Sequence, residues 1–359
     1  MDAVALFPAA FFHLLKLASG LPALISVLTT RAPTGCTPRR LIWSLNKARE
    51  YGYEPVLPAE KRHRVPLLLV YAPIGRPAIL DLCPGHSFVD WMRRSGFDVF
   101  LLDWGYPGPE DQSLGLSGYV QEYLPRAIRK MKSVVRTAEY SMLGWSIGGV
   151  FAAIYAALFP NDGLRNLILL TAPLDYSAKH AIALARLVDD RWFALERLLC
   201  AFENIPGEMI ALGGAATAGP VESFIRPFLQ LCDHLDNPEF VRHWQARRTW
   251  AADLVPLTGA LFRDLVVELY RNDRLMRGEL LMGNRHVDLG LIRANLLNVI
   301  ATDDYVSPPC QSEGLLRVVG SSDKQDLRVP GTHVDSMAGI KAPQNTWPSI
   351  QAWLAGRSD

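Results

Sequence analysis

The feature that most restricts the fold is a short apolar strand that runs through a glycine-flanked turn directly into a helix of small residues. Tyr140-Ser141-Met142-Leu143 leads into Gly144-Trp145-Ser146-Ile147-Gly148-Gly149, and Val150-Phe151-Ala152-Ala153-Ile154-Tyr155-Ala156-Ala157-Leu158 follows. Small residues two before and two after a serine permit a tight, strained reversal that holds the hydroxyl clear of the backbone. The helix behind it points its first N–H groups and its positive dipole end at the same spot.

The rest of the chain supplies the layers that such a turn needs. Residues 65–71 and 98–104 are continuous apolar runs, as expected of strands buried on both faces, and the second closes at Gly105-Tyr106-Pro107-Gly108-Pro109. The spacing predicts helices from Asp81 to near Gly96 and over 119–135. Further strands are expected at 167–171, at 296–301 (ending in Thr302-Asp303-Asp304) and at 327–329. A last helix carries Trp347, Ile350, Trp353 and Leu354 on one side. Strands alternating with helices imply right-handed crossovers and a mainly parallel sheet with helices on both faces. Between about 175 and 285 the rhythm lapses into helical spacing, with Leu212-Gly213-Gly214-Ala215-Ala216-Thr217-Ala218-Gly219-Pro220 read as a flexible connector. The expected architecture is therefore an α/β-hydrolase fold. Residues 1–60 would be an N-terminal helical segment packing on the core, 61–175 and 286–359 the core itself, and 176–285 a helical cap insertion.

Composition narrows the function. The formal net charge is +1, which gives no electrostatic reason to expect a nucleic-acid partner. Five scattered cysteines fit neither a zinc site nor a secreted disulfide framework and suggest a reduced, cytoplasmic setting. Residues 4–28 are largely apolar. They lack a basic leader, however, and His13, Lys16, Gly20 and Pro22 interrupt them, so helices packing on the body, or else touching a lipid or polymer surface, are expected rather than a transmembrane span. There is no dinucleotide loop, phosphate loop or His-Glu-x-x-His pattern, and neither a cofactor nor a metal is expected.

A serine hydroxyl becomes a useful nucleophile only when a base removes its proton during attack. Ser146 is the expected nucleophile, with the N–H of Ile147 as first oxyanion donor. A second donor is expected just after residue 71, at Ala72 or Ile74, since Pro73 has no N–H. Among eight histidines only His333, in Pro330-Gly331-Thr332-His333-Val334, follows the last strand in the chain order serine, acid, histidine. Asp303 and Asp304 both qualify as the acid. The spacing in Asp304-Tyr305-Val306-Ser307-Pro308 favours Asp304, and Asp335 follows the histidine too closely. Asp103-Trp104-Gly105-Tyr106-Pro107 reads equally well as a buried turn or as part of the site's mouth. Lys61-Arg62-His63-Arg64, Arg247-Arg248 and Arg263 read as solvated charge rather than anion sites.

Several dispersed motifs, in order, resemble the catalytic subunit of class III polyhydroxyalkanoate synthases from about residue 37 to 354. They are Trp43-Ser44-Leu45-Asn46-Lys47-Ala48, Leu67-Leu68-Leu69-Val70-Tyr71-Ala72, Arg76-Pro77 with Leu80-Asp81-Leu82, Asp103-Trp104-Gly105-Tyr106-Pro107, Tyr155-Ala156-Ala157-Leu158, Thr171-Ala172-Pro173-Leu174-Asp175, Asp304-Tyr305-Val306-Ser307-Pro308 and Thr332-His333-Val334. The resemblance implies a cytoplasmic acyltransferase that joins 3-hydroxyacyl groups from coenzyme A thioesters into a polyester chain. It also implies work at a polymer granule surface beside a second, non-catalytic subunit, and it leaves room for a homodimer. Ser146, Asp304 and His333 fall where that family has nucleophile, acid and base. The family's nucleophile is typically cysteine, and class III members commonly follow it with glutamine where this chain has Ile147. An acyl-serine is an oxyester of lower energy than a thioester, so polymerisation through it should be slower, with water competing. The alternatives are a serine esterase, thioesterase or intracellular polyester depolymerase, and an inactive scaffold paralogue.

Overall fold

The computed structural model describes residues 21–191 and 193–359. Its centre is a sheet of eight strands: β1 (Arg39–Leu45), β2 (Ala48–Tyr53), β3 (Leu67–Val70), β4 (Val99–Asp103), β5 (Tyr140–Trp145), β6 (Leu164–Leu170), β7 (Asn295–Ala301) and β8 (Lys324–Val329). Their spatial order is β1-β2-β4-β3-β5-β6-β7-β8, so β3 and β4 exchange places relative to the chain. β1 and β2 pair antiparallel, as do β2 and β4, and every other pairing within this sheet is parallel.

Burial explains why the central strands lack polar alternation. In β3, Leu67 and Leu69 belong to one apolar cluster and Leu68 and Val70 to the other, and all four are 0% exposed. Each such side chain contributes roughly 1.5–3 kcal/mol by leaving water. One face is covered by α1 (Phe88–Arg94) and α7 (Ala342–Ala355), whose Phe88, Trp347 and Ile350 join the first cluster. The other face is covered by α2 (Leu124–Val135) and α3 (Ile147–Leu158).

The register aligns the carboxyl ends. Val70 lies beside Gly144, Trp145 beside Leu170, and Ala301 beside Val329. The loops leaving β3, β5, β7 and β8 therefore emerge along one edge, carrying Ala72, Ser146, Asp304 and His333 respectively.

Three expectations change. The N-terminal segment is not helical through residue 60. Residues 1–20 lie outside the described residues; 21–29 are helical, but 39–53 form the β1–β2 hairpin. Asn46, at φ 50°, closes a two-residue turn, with Leu45 paired to Ala48; asparagine tolerates this conformation better than most residues. The segment after Asp81 first makes a small hairpin (Asp81–Cys83 with His86–Ser87), and helix α1 begins only at Phe88, capped by the Ser87 hydroxyl. The expected flexible connector is part of helix α4 (Gly207–Pro220): alanines and other good helix formers hold the turns, and the break comes only at Gly219, with φ 78°.

The region between β6 and β7 continues with α5 (Arg226–Asp233) and α6 (Pro238–Ala251), and the apolar pairs at 261–270 are helical as spaced. Helix α6 lies against the hairpin at residues 81–87 and against the loops at the carboxyl edge, where Trp250 donates to the Arg76 carbonyl. No helix among the described residues is long and apolar enough to cross a membrane.

Candidate active site

Ser146 stands at φ 58° and ψ −126°, a conformation that costs a non-glycine residue roughly 1–3 kcal/mol. The surrounding glycines make it possible. A Cβ on Gly144 would lie 2.6 Å from the Gly148 carbonyl oxygen, and one on Gly148 would lie 2.3 Å from that of Val70. β5, α3 and the end of β3 thus meet at backbone contact, with Ser146 at the apex and its N–H donating to Leu170 (2.9 Å).

The structure brings three of the expected side chains together. His333 Nε2 lies 2.9 Å from Ser146 Oγ, and His333 Nδ1 lies 2.7 Å from Asp304 Oδ2. A carboxylate can only accept, so Nδ1 carries the hydrogen and Nε2 is left to accept from the hydroxyl. The other oxygen of Asp304 accepts the N–H groups of Val306 (2.9 Å) and Ser307 (2.8 Å), which fixes the carboxylate plane. Its side chain has no exposed surface. Asp303, the competing acid, faces elsewhere: Oδ2 accepts from the Gly331 N–H (3.1 Å) and the Thr302 hydroxyl (3.1 Å), so it steadies the turn before His333.

Ile147 opens helix α3. The Ser146 carbonyl takes the N–H groups of Gly149 and Val150, while at the first helical position there is no carbonyl one turn back to accept from Ile147. The loop after β3 is fixed tightly. Trp104 Nε1 donates to the Tyr71 carbonyl (2.7 Å) and Arg76 pairs with Asp103 (2.9 Å), with Ala72 buried between these anchors. The Asp103-Trp104 turn therefore acts on the site by holding this loop, a role its apolar and turn residues did not announce.

Among the described residues, none of the remaining candidates bonds to a triad side chain. Arg62 pairs with Asp98, His63 with Asp359, and Arg263 makes two bonds to Glu196. Arg247 pairs with Asp335, and Arg248 donates to the Leu28 carbonyl. A cleft of about 420 Å³ between Asp81, Trp91 and Trp347 contains none of the three reactive side chains. Ser146 is only 6% exposed and His333 9%, so the reactive groups lie beneath the surface.

An alcohol, an imidazole and a carboxylate in a hydrogen-bonded line at a strained strand-to-helix elbow can support acyl transfer through a covalent ester. Residues 70–317, more than half the chain, match the alpha/beta hydrolase fold family. This chain belongs to that family. Solved structures agree on the fold of this α/β hydrolase. A putative lipase from Sulfolobus solfataricus superposes with a TM-score of 0.56 at 14% identity, covering 91% of this chain and 99% of the lipase. A monoacylglycerol lipase from Paleococcus ferrophilus gives 0.54 at 15%, covering 87% and 100%. Among curated proteins, the α/β hydrolase is 30% identical over 325 residues to the poly(3-hydroxyalkanoate) polymerase subunit PhaC of Haloferax mediterranei, covering 90% of this chain and 65% of that protein. It is 29% identical to the subunit of the same name from Allochromatium vinosum, covering 95% and 94%. For that of Synechocystis the identity is 28%, covering 95% and 90%. The chain thus spans just under two thirds of the Haloferax protein and nearly all of the other two.

Proposed function

We propose that this α/β hydrolase is a polyhydroxyalkanoate synthase-like acyltransferase that carries 3-hydroxyacyl groups on Ser146. The observation that carries the reading is the unbroken line from Ser146 Oγ through His333 to Asp304, in a chain similar along nearly its whole length to poly(3-hydroxyalkanoate) polymerase subunits. His333 Nε2 takes the serine proton as Oγ attacks the thioester carbonyl. The oxyanion is met by the N–H of Ile147 and that of Ala72. Collapse breaks the C–S bond, and the coenzyme A thiolate leaves with the proton from His333. A hydroxyl of a second hydroxyacyl-coenzyme A, deprotonated by the same imidazole, attacks the acyl-serine and breaks its C–Oγ bond, and His333 returns the proton to Ser146 Oγ. The chain, one ester longer and now a coenzyme A thioester, reacylates Ser146 for the next round. No cofactor enters these steps. The reading also carries a cytoplasmic location at a polymer surface and a second, non-catalytic subunit.

The serine itself favours a second reading. Where related synthases are expected to use cysteine, an acyl-serine gives an oxyester, and water in place of the second hydroxyl would release free hydroxyacid, as a thioesterase or depolymerase does. The two differ in product. With 3-hydroxybutyryl-coenzyme A, the synthase reading expects free coenzyme A to appear together with polyester, and a higher polymer yield from Ser146→Cys. Coenzyme A release matched by free 3-hydroxybutyrate, with no polymer from either protein, supports the hydrolase instead.

A further inference from the structure

Helix α6 reaches the site from two sides. His243, Arg247 and Trp250 are four and three residues apart in turn and so share one face of the helix. His243, 4% exposed, donates through Nε2 to the carbonyl of Ala338 at 2.9 Å. Arg247 Nη1 lies 2.5 Å from Asp335 Oδ1, while Asp335 Oδ2 accepts from Thr332 Oγ1 at 2.9 Å, the residue immediately before His333. Trp250 Nε1 donates to the Arg76 carbonyl at 2.8 Å, in the loop that carries Ala72. One helix of the insertion therefore grips both the loop that bears the base and the loop that follows β3.

We infer that α6 is a clamp on the reactive geometry, with Arg247 a positioning residue that orients His333 through Asp335 and Thr332. The inference rests on the triad reading above. The loop is held from its other side by Asp303, whose N–H and carboxylate both bond to Gly331, each at 3.1 Å. Ser336 ties the segment after the histidine back to the His333 carbonyl at 3.2 Å. With the core side fixed in this way, the Arg247 contact decides where the imidazole comes to rest. The Arg247 side chain is 35% exposed and that of Asp335 40%, and such a pair adds little to global stability. Its effect belongs in the alignment of His333, where small displacements cost large factors in rate. The charged and titratable groups around that loop among the described residues are Asp304 and Asp303 from β7's end, Asp335 on the loop, Arg247 and His243 from α6, His86 with its ring tilted 4.6 Å from that of His243, Tyr305, Tyr270 beside Asp304, and Glu222 near Tyr305.

The test is the rate at which a fluorophosphonate labels Ser146 in the full chain, measured across pH for wild type, Arg247→Ala, Arg247→Lys, Asp335→Asn and the double variant Arg247→Ala with Asp335→Asn. Labelling needs an activated serine but no particular acyl donor. Arg247→Ala is expected to label roughly tenfold more slowly with its melting temperature nearly unchanged, and Arg247→Lys to recover part of the loss. The double variant should be no slower than the slower single one, because both act through one contact. The acid limb of the profile should move to higher pH in Arg247→Ala, where Asp335 is left uncompensated, and to lower pH in Asp335→Asn. General loosening of the structure would not give opposite displacements. Wild-type labelling rates in Arg247→Ala, additive losses in the double variant, or displacement of both limbs in one direction overturn the clamp while leaving the triad intact. Failure of the wild type to label at Ser146 removes the triad, and the clamp with it.

Discussion

Asp303 and Asp304 are neighbours of the same chemical type with different tasks, and their hydrogen bonds separate them. Asp304 meets His333 Nδ1 and two backbone N–H groups, whereas Asp303 meets Gly331 and Thr302. Asp304→Asn should therefore lower the Ser146 labelling rate by about 10⁴-fold, because an amide donating to Nδ1 imposes the wrong tautomer. Asp303→Asn should stay within a few-fold of wild type, since its amide oxygen still accepts from Gly331; parallel labelling assays check both, and equal losses would refute the assignment. At this scale most of the geometry was legible. Chain order pointed to His333 and the spacing up to Ser307-Pro308 pointed to Asp304, because those signals are local. The tie from Arg247 to Asp335 was not: the partners lie 88 residues apart, Arg247 read as helix-surface charge, and Asp335 read only as an acid candidate too close to the histidine. The anchoring of the Tyr71 carbonyl by Trp104 was hidden for the same reason.

Among the elements, β2 carries a group that its surroundings do not satisfy. Glu50 is 0% exposed, neither carboxylate oxygen has a hydrogen-bond partner among the described residues, and burial pushes its pKa up to about 9 against a weaker opposing pull from Lys130. The folded state then holds a proton that the unfolded chain releases near pH 4.5, so this group's contribution to stability falls as pH rises from about 4.5 to about 9. Glu50→Gln should remove that slope: its urea midpoint should exceed wild type most near the alkaline end and converge with it at acid pH. A constant difference between the two proteins across the range would contradict this account. The same stretch shows why the sheet's edge was harder to read than its centre. β3 to β7 are buried on both faces and announce themselves as apolar runs, whereas β1 and β2 mix exposed arginines with half-buried residues and escaped notice. In α4 the glycines suggested a connector, yet the intervening alanines and other helix formers carry the helix to Gly219.

At the scale of the whole molecule, the fold's contribution is to gather residues 146, 304 and 333 on one edge of an eight-stranded sheet and to lay a helical insertion against the loops that carry them. The alternation of strands and helices made the sheet and its helical layers legible in advance. The grip of the insertion on those loops was not, since it depends on tertiary contacts that no local pattern encodes. The central claim is that acyl units accumulate on Ser146, and the most direct test is to observe that serine during turnover. The full chain is mixed with 3-hydroxybutyryl-coenzyme A, quenched in acid at intervals and digested, and the peptide containing Ser146 is weighed by mass spectrometry. The account predicts a ladder of hydroxybutyryl additions that lengthens with time and is absent in Ser146→Ala. An unmodified peptide throughout, or a single acyl group that never extends while free hydroxyacid accumulates, would contradict it.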